Sequence, residues 1–264
     1  MSIEAGPIAS LLEREERLFE ARHPRSAEIH DGGTEELLSG VPMNWMTRWP
    51  GRFPIYFTTA QGAEVTDVDG NYYVDLCLGD TGAMCGHSPD PAVRAIAEQA
   101  QRGITTMLPS EHAAEVGALM SERFGLDHWQ FTVSATDANR FVVRLCRQVS
   151  ERPKILVFNH CYHGSVDETV VAIGDGGRAV PRYGSVGPPV DPALTTRVVE
   201  FNDLEALEGA LGHGDVACVL AEPALTNIGI VLPDPGFHEE MRRLCTESGT
   251  LLVIDETHTL SCGP

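Results

Sequence analysis

The chain has 264 residues, 42% of them hydrophobic and 22% charged, which fits one large or two small soluble domains with ample core. A formal net charge of -19 speaks against nucleic acid and anionic membrane surfaces as partners, because both bind through clustered Lys and Arg. The seven cysteines are scattered and form no C-x-x-C pair, a pattern of buried free thiols in a reducing, cytoplasmic compartment rather than of a disulfide framework. The 19 basic residues include a single lysine, Lys154.

In chain order, residues 1–23 have neither a basic start nor an uninterrupted apolar core, so they read as an amphipathic, acidic helix and not as a signal or a membrane span. PMNWMTRWPGRFP follows as an irregular loop. Its Arg48, between Trp45 and Trp49, is either a surface residue or a bidentate partner for a substrate carboxylate. FTTAQGAEVTDVDGNYYVDLCLG alternates apolar and polar residues around AQG and DGN and predicts two successive β-hairpins. DVDGN also resembles the start of a calcium loop, but counting from Asp67 puts Leu78 where the twelfth-position Glu belongs, so it is read as a turn. From residue 89 the pattern turns to helices (89–103 and 110–125), a strand at WQFTV, and a helix at DANRFVVRLCRQV. Strands at KILVF, VVEF, DVACVLAEP and LLVID then alternate with helices at DLEALEGAL and GFHEEMRRLCTES. Strands separated by helices imply an α/β fold with a parallel sheet.

In such folds ligand chemistry gathers at the carboxyl ends of the strands, and four of these junctions are informative. FTVSATDAN runs into a helix whose apolar face is expected to be Ala138, Phe141, Val142, Leu145, Cys146 and Val149. The free N–H groups at that helix start, with the hydroxyls of Ser134 and Thr136, suit a phosphate; an ordinary helix cap is the alternative. KILVFNHCYHG ends in Tyr162, His163 and Gly164, a set suited to stacking on a flat ring, while the spacing of His160, Cys161 and His163 matches no standard zinc pattern. VLAEPALTNIGIVLPDPGF offers Glu222 and Asn227, and LLVIDETHT ends in the carboxylate of Asp255. A phosphate cradle, a stacking ring, an amide and a buried acid are what pyridoxal phosphate requires.

In this order, GAEVTDVDGNYYVDL, CGHSPDPAV, FTVSATDAN, KILVFNHCYHG, EPALTNIGIVLPDPGF and LLVIDETHT resemble the class III, pyridoxal-phosphate-dependent aminotransferases, in the branch containing glutamate-1-semialdehyde aminomutase and β-amino-acid transaminases. The resemblance runs from about residue 53 to the end. It implies the large-domain portion of a fold type I transferase, a mostly parallel sheet with flanking helices that is incomplete at its C-terminus. Residues 1–65 would belong with the small domain and 66–264 with the N-terminal part of the large one. It further implies transamination between a small amino acid or amine and a keto acid, or an aminomutase, in a homodimer. By position, Ala135 N–H and Thr136 would bind the cofactor phosphate, Tyr162 would cover the ring and His163 would support the site. Asn227 would lie near O3', Asp255 would pair with the ring nitrogen, and Glu222 and His258 would complete the set.

Two departures stand out. The family's usual S-G-T-E-A reads Ser134, Ala135, Thr136, Asp137, Ala138 here, with a methyl where backbone should approach phosphate. The family's Schiff-base lysine lies beyond the strand matching LLVID and is not among these residues, and Lys154 sits at the wrong end of its strand. The chain is therefore expected to be a fragment, half of a split enzyme or a noncatalytic remnant.

Overall fold

The computed structural model describes residues 5–33, 36–186 and 190–262. They fall into two units, Met1–Leu108 and Pro109–Pro264.

The first unit begins with helices α1 (Ala5–Arg22) and α2 (Pro24–Gly32). The break between them follows from Pro24, which drives the preceding residue out of the helical region: His23 adopts φ -128, ψ 46. The Trp-rich segment carries only a short 3₁₀ turn, Asn44–Arg48, with Arg48 exposed. Strands β1 (Phe57–Gln61), β2 (Glu64–Asp67) and β3 (Tyr72–Val74) form the two expected hairpins as an antiparallel meander, and helix α3 (Asp90–Arg102) ends the unit. Asp67 shapes the DGN turn, accepting from Asp69 N (2.9 Å), Asn71 N (2.7 Å) and the Tyr73 hydroxyl (2.8 Å). The units divide after Leu108, which leaves the whole β1-β2-β3 meander in the first unit.

The second unit comprises α4 (His112–Phe124), α5 (Ala135–Ser150), β4 (Lys154–Phe158), β5 (Val171–Ile173), β6 (Ala179–Pro181), β7 (Thr196–Val199), α6 (Leu204–Leu211), β8 (Val216–Ala221), α7 (Phe237–Ser248) and β9 (Leu251–Ile254). Its main sheet has the order β7-β4-β8-β9 with every pairing parallel, so the α/β expectation holds. All six residues of β8 and four of the five in β4 are buried, which is why both read as unbroken apolar runs. Phe158, Phe201 and Phe237 meet edge to face at 4.8–5.7 Å between centroids and tie the sheet to α7.

The structure corrects two expectations and adds one strand pair. WQFTV pairs with no described strand, and Phe131 and Val133 are 64% and 99% exposed. Its alternation marks a segment able to join a sheet, but a ladder needs a partner for its N–H and C=O groups. The face of α5 that packs on the sheet is Asn139, Val143 and Cys146, whereas Phe141, Leu145 and Val149 point outward, so the helix is apolar on two sides. The antiparallel β5-β6 pair, inserted between β4 and β7, was not anticipated.

Lys154 begins β4 and lies 3.3 Å from Asp215, which Arg197 also grips through two hydrogen bonds of 2.7 and 2.8 Å. This ion-pair cluster marks the amino ends of the strands. The candidate site lies at the other end.

Candidate active site

Asp255 follows the last residue of β9, and its backbone N–H still donates to Ala221 O (2.8 Å) to extend the ladder. That bond aims its side chain, 7% exposed, into the space beyond the strand ends. Oδ2 accepts from His163 Nδ1 (2.8 Å) and Asn139 Nδ2 (2.8 Å), while Oδ1 accepts from the backbone N–H (3.1 Å) and hydroxyl (2.6 Å) of Thr257. Burial alone pushes the Asp255 carboxyl upward, but the bonds from His163, Thr257 and Asn139 outweigh it and hold the group well below the usual carboxylate range. Burial likewise works against a charged His163; its hydrogen bond to Asp255, with a smaller push from neighbouring Cys161, takes the ring up to about 10. The pair is a buried ion pair whose second imidazole nitrogen, Nε2, has no hydrogen-bond partner among the described residues.

His163 and Tyr162 stand on the turn that leaves β4. Glu222, the residue after β8, fixes that turn: its Oε1 accepts from Tyr162 N (3.0 Å) and its Oε2 from the N–H (3.1 Å) and hydroxyl (3.0 Å) of Thr226. Glu222 is 5% exposed and holds the turn through these three bonds. The Tyr162 ring remains half exposed, free to lie against a ligand.

Gly164 closes the turn with φ +77, and a Cβ there would sit 2.1 Å from Thr136 Oγ1. Only glycine permits this approach. It brings Ser165 N within 3.2 Å of Thr136 Oγ1, which accepts its hydrogen bond and keeps its own proton to donate. Ser134 acts as the helix cap: its hydroxyl accepts from Asp137 N (3.2 Å) and lies 3.1 Å from Asp137 Oδ2. The Ser134 side chain therefore serves as the cap, while Ala135 and Thr136 stand in the first turn of α5, where backbone N–H groups have no intrahelical acceptor. The Ala135 methyl does not prevent the helix from starting here.

Thus α5, the β4 turn and the end of β9 bring Ala135, Thr136, Tyr162, His163 and Asp255 to one edge of the sheet. Asn227 is exposed in the loop after β8, next to an isolated bridge with Gly229, and His258 lies in the turn after Asp255, half-buried. Asn139 escaped the sequence reading altogether. It looks like one more polar position in a helix, and only its burial beside Asp255 reveals it. A polar residue on the same helical face as Val143 and Cys146 was the available signal.

The residues fit pyridoxal phosphate on the structure's own terms: a buried carboxylate kept ionised, a helix start against which Gly164 lets the β4 turn pack, and an imidazole nitrogen without a partner among the described residues occupy the carboxyl ends of one sheet.

The model of the class-III aminotransferase family matches residues 45–262. The chain belongs to that family. Among similar solved structures, this class-III aminotransferase chain superposes on a glutamate-1-semialdehyde-aminomutase from Pseudomonas aeruginosa PAO1 with a TM-score of 0.95 at 53% identity, covering 100% of this chain and 58% of that one. A β-phenylalanine aminotransferase from Variovorax paradoxus gives 0.82 at 27% identity, covering 96% and 56%. Among curated relatives, the glutamate-1-semialdehyde 2,1-aminomutase of Methanosphaera stadtmanae is 34% identical over 238 residues, 89% of this chain and 55% of that protein. The chain spans a little over half the length of these relatives, and the fold is that of the pyridoxal-phosphate-dependent transferases.

Proposed function

We propose that this chain is the cofactor-binding part of a pyridoxal-phosphate-dependent enzyme that moves an amino group, as a transaminase acting on an amino acid or amine and a keto acid, or as an aminomutase. The observation that carries the reading is the buried Asp255–His163 ion pair at the strand ends, beside the start of α5. In support, one relative, a lysine-to-alanine variant of the Pseudomonas aeruginosa aminomutase, was solved in complex with PMP.

In this reading the N–H groups of Ala135 and Thr136 and the Thr136 hydroxyl bind the phosphate. Tyr162 covers one face of the ring, and Asn227 donates near O3'. Asp255 holds a proton on the ring nitrogen, since an opposite charge in a poorly solvated site favours the protonated form. When bound, the cofactor supplies an electron-withdrawing ring that accepts negative charge from the substrate. Arg48 is the candidate for the substrate carboxylate. The family resemblance and the free thiols support a cytoplasmic homodimer, which a size measurement in solution would test.

Lys154 is engaged with Asp215 at the amino ends of the strands, so it does not offer its amine to this site. That position favours a second reading in which these residues bind the cofactor without turning it over. One experiment separates the two: intact mass of the protein from its native source after pyridoxal phosphate and borohydride. A mass well above 28.6 kDa with one reduced cofactor marks a complete enzyme, and 28.6 kDa without an adduct marks the binding-only form. Turnover without a separate amino donor would then indicate a mutase; stalling without one indicates a transaminase.

A further inference from the structure

Asn139 is an unusual residue for its place. It sits in an α-helix, where asparagine is a poor former, and on the face that packs against the sheet, where an amide without partners is costly. At 6% exposure it has one compensation within reach: the two protons of Nδ2 point at His163 O (3.2 Å) and Asp255 Oδ2 (2.8 Å). Both acceptors are oxygens that cannot donate to it, so the amide has one satisfactory orientation, and the flipped one would set its own oxygen against a carboxylate. A single side chain thus ties α5, the turn after β4 and the end of β9 together at Asp255.

The charges explain what this tie adds. His163 favours ionised Asp255 by carrying a positive charge, and that same charge weakens the field Asp255 can offer a second cation. Asn139 favours the carboxylate by donation alone and brings no net charge. It also holds Oδ2 between two donors and so fixes the carboxylate plane.

We infer that Asn139 is a positioning residue for the cofactor, acting through Asp255: it holds that carboxylate turned toward the ring nitrogen. The inference rests on the cofactor reading above. Loss of one hydrogen bond to a charged group predicts about a tenfold weaker hold on pyridoxamine 5'-phosphate.

The test uses Asn139→Leu, which fills the volume without a donor, and pyridoxamine 5'-phosphate labelled with ¹⁵N in the ring. In the wild-type chain the bound nitrogen is expected to be protonated at neutral pH. In Asn139→Leu it should lose its proton at lower pH and the affinity should fall about tenfold, whereas adding Asn139→Leu to Asp255→Ala should change the affinity little. An unaltered ¹⁵N titration, or an equal loss of affinity in the Asp255→Ala background, overturns the inference. Should the wild-type chain fail to bind the probe, the cofactor reading falls separately, and acid unfolding without ligand decides the role of Asn139. The variant's stability should then fade at higher pH than the wild type's, since Asp255 loses a donor; parallel curves make Asn139 a packing residue only. If Asn139→Leu does not fold, Asn139→Ser is read in the same way.

Discussion

β8 and β9 are neighbours in one sheet and read alike, VACVLA and LLVI, yet all six residues of β8 are buried while Leu251 and Ile254 of β9 are 40% and 38% exposed. An apolar run encodes the capacity to be covered, and its neighbours decide whether it is. α5 packs on both strands and α7 on β9, so the difference lies in the sheet: β8 has strands on both sides, and β9 has β8 on one side and no described strand on the other. The contrast continues into the site. The acid that ends β8, Glu222, is occupied with backbone, whereas the acid that ends β9, Asp255, is buried by side chains brought from α5 and the β4 turn.

The sharpest way to test that contrast is a matched pair of truncations. Leu220→Ala in β8 should cost about 2–5 kcal/mol, as cavities in closed cores do, and Leu251→Ala in β9 roughly 1 kcal/mol or less, both by denaturant unfolding. Equal costs would show that the outer edge of β9 is covered in solution. Gly164→Ala should be the next largest, about 1–3 kcal/mol, from the positive φ and the overlap with Thr136 together. Its affinity for pyridoxamine 5'-phosphate should fall as well; unchanged affinity would separate the cradle from the glycine.

The ion pair gives a pH signature. Asp255 is depressed, so its contribution to stability is present above the ordinary carboxyl value near about 4 and is lost as pH falls through the folded value. His163 is raised to about 10, so its contribution is full below about 6.5 and is lost as pH rises through about 10. Stability from the pair should therefore be greatest between about pH 4 and 6.5, and Asp255→Asn should flatten both limbs. A variant with the wild-type pH profile would remove the pair from the account. The smallest expected effect is Thr257→Val, about 1 kcal/mol or less, because the exposed hydroxyl is one donor of four on Asp255.

What was legible in the sequence follows the same divide. The parallel sheet and the place of Asp255, Tyr162 and His163 beyond its strand ends could be read because apolar runs stop abruptly at polar residues. The unpaired state of 129–133 could not, since pairing depends on a partner and not on alternation. The outward face of α5 was misread because Phe141, Leu145 and Val149 have the spacing of a core face. Asn139 and the backbone-holding role of Glu222 were hidden for the opposite reason: each is a polar residue whose meaning lies in contacts with distant parts of the chain.

The most direct test of the central claim is calorimetric titration of pyridoxamine 5'-phosphate into the 264-residue chain and its Asp255→Ala variant. Saturable binding at one site, weakened tenfold or more in the variant, is the predicted result. Absence of binding, or equal affinity in the two proteins, would contradict the assignment of Asp255 as the partner of the cofactor ring.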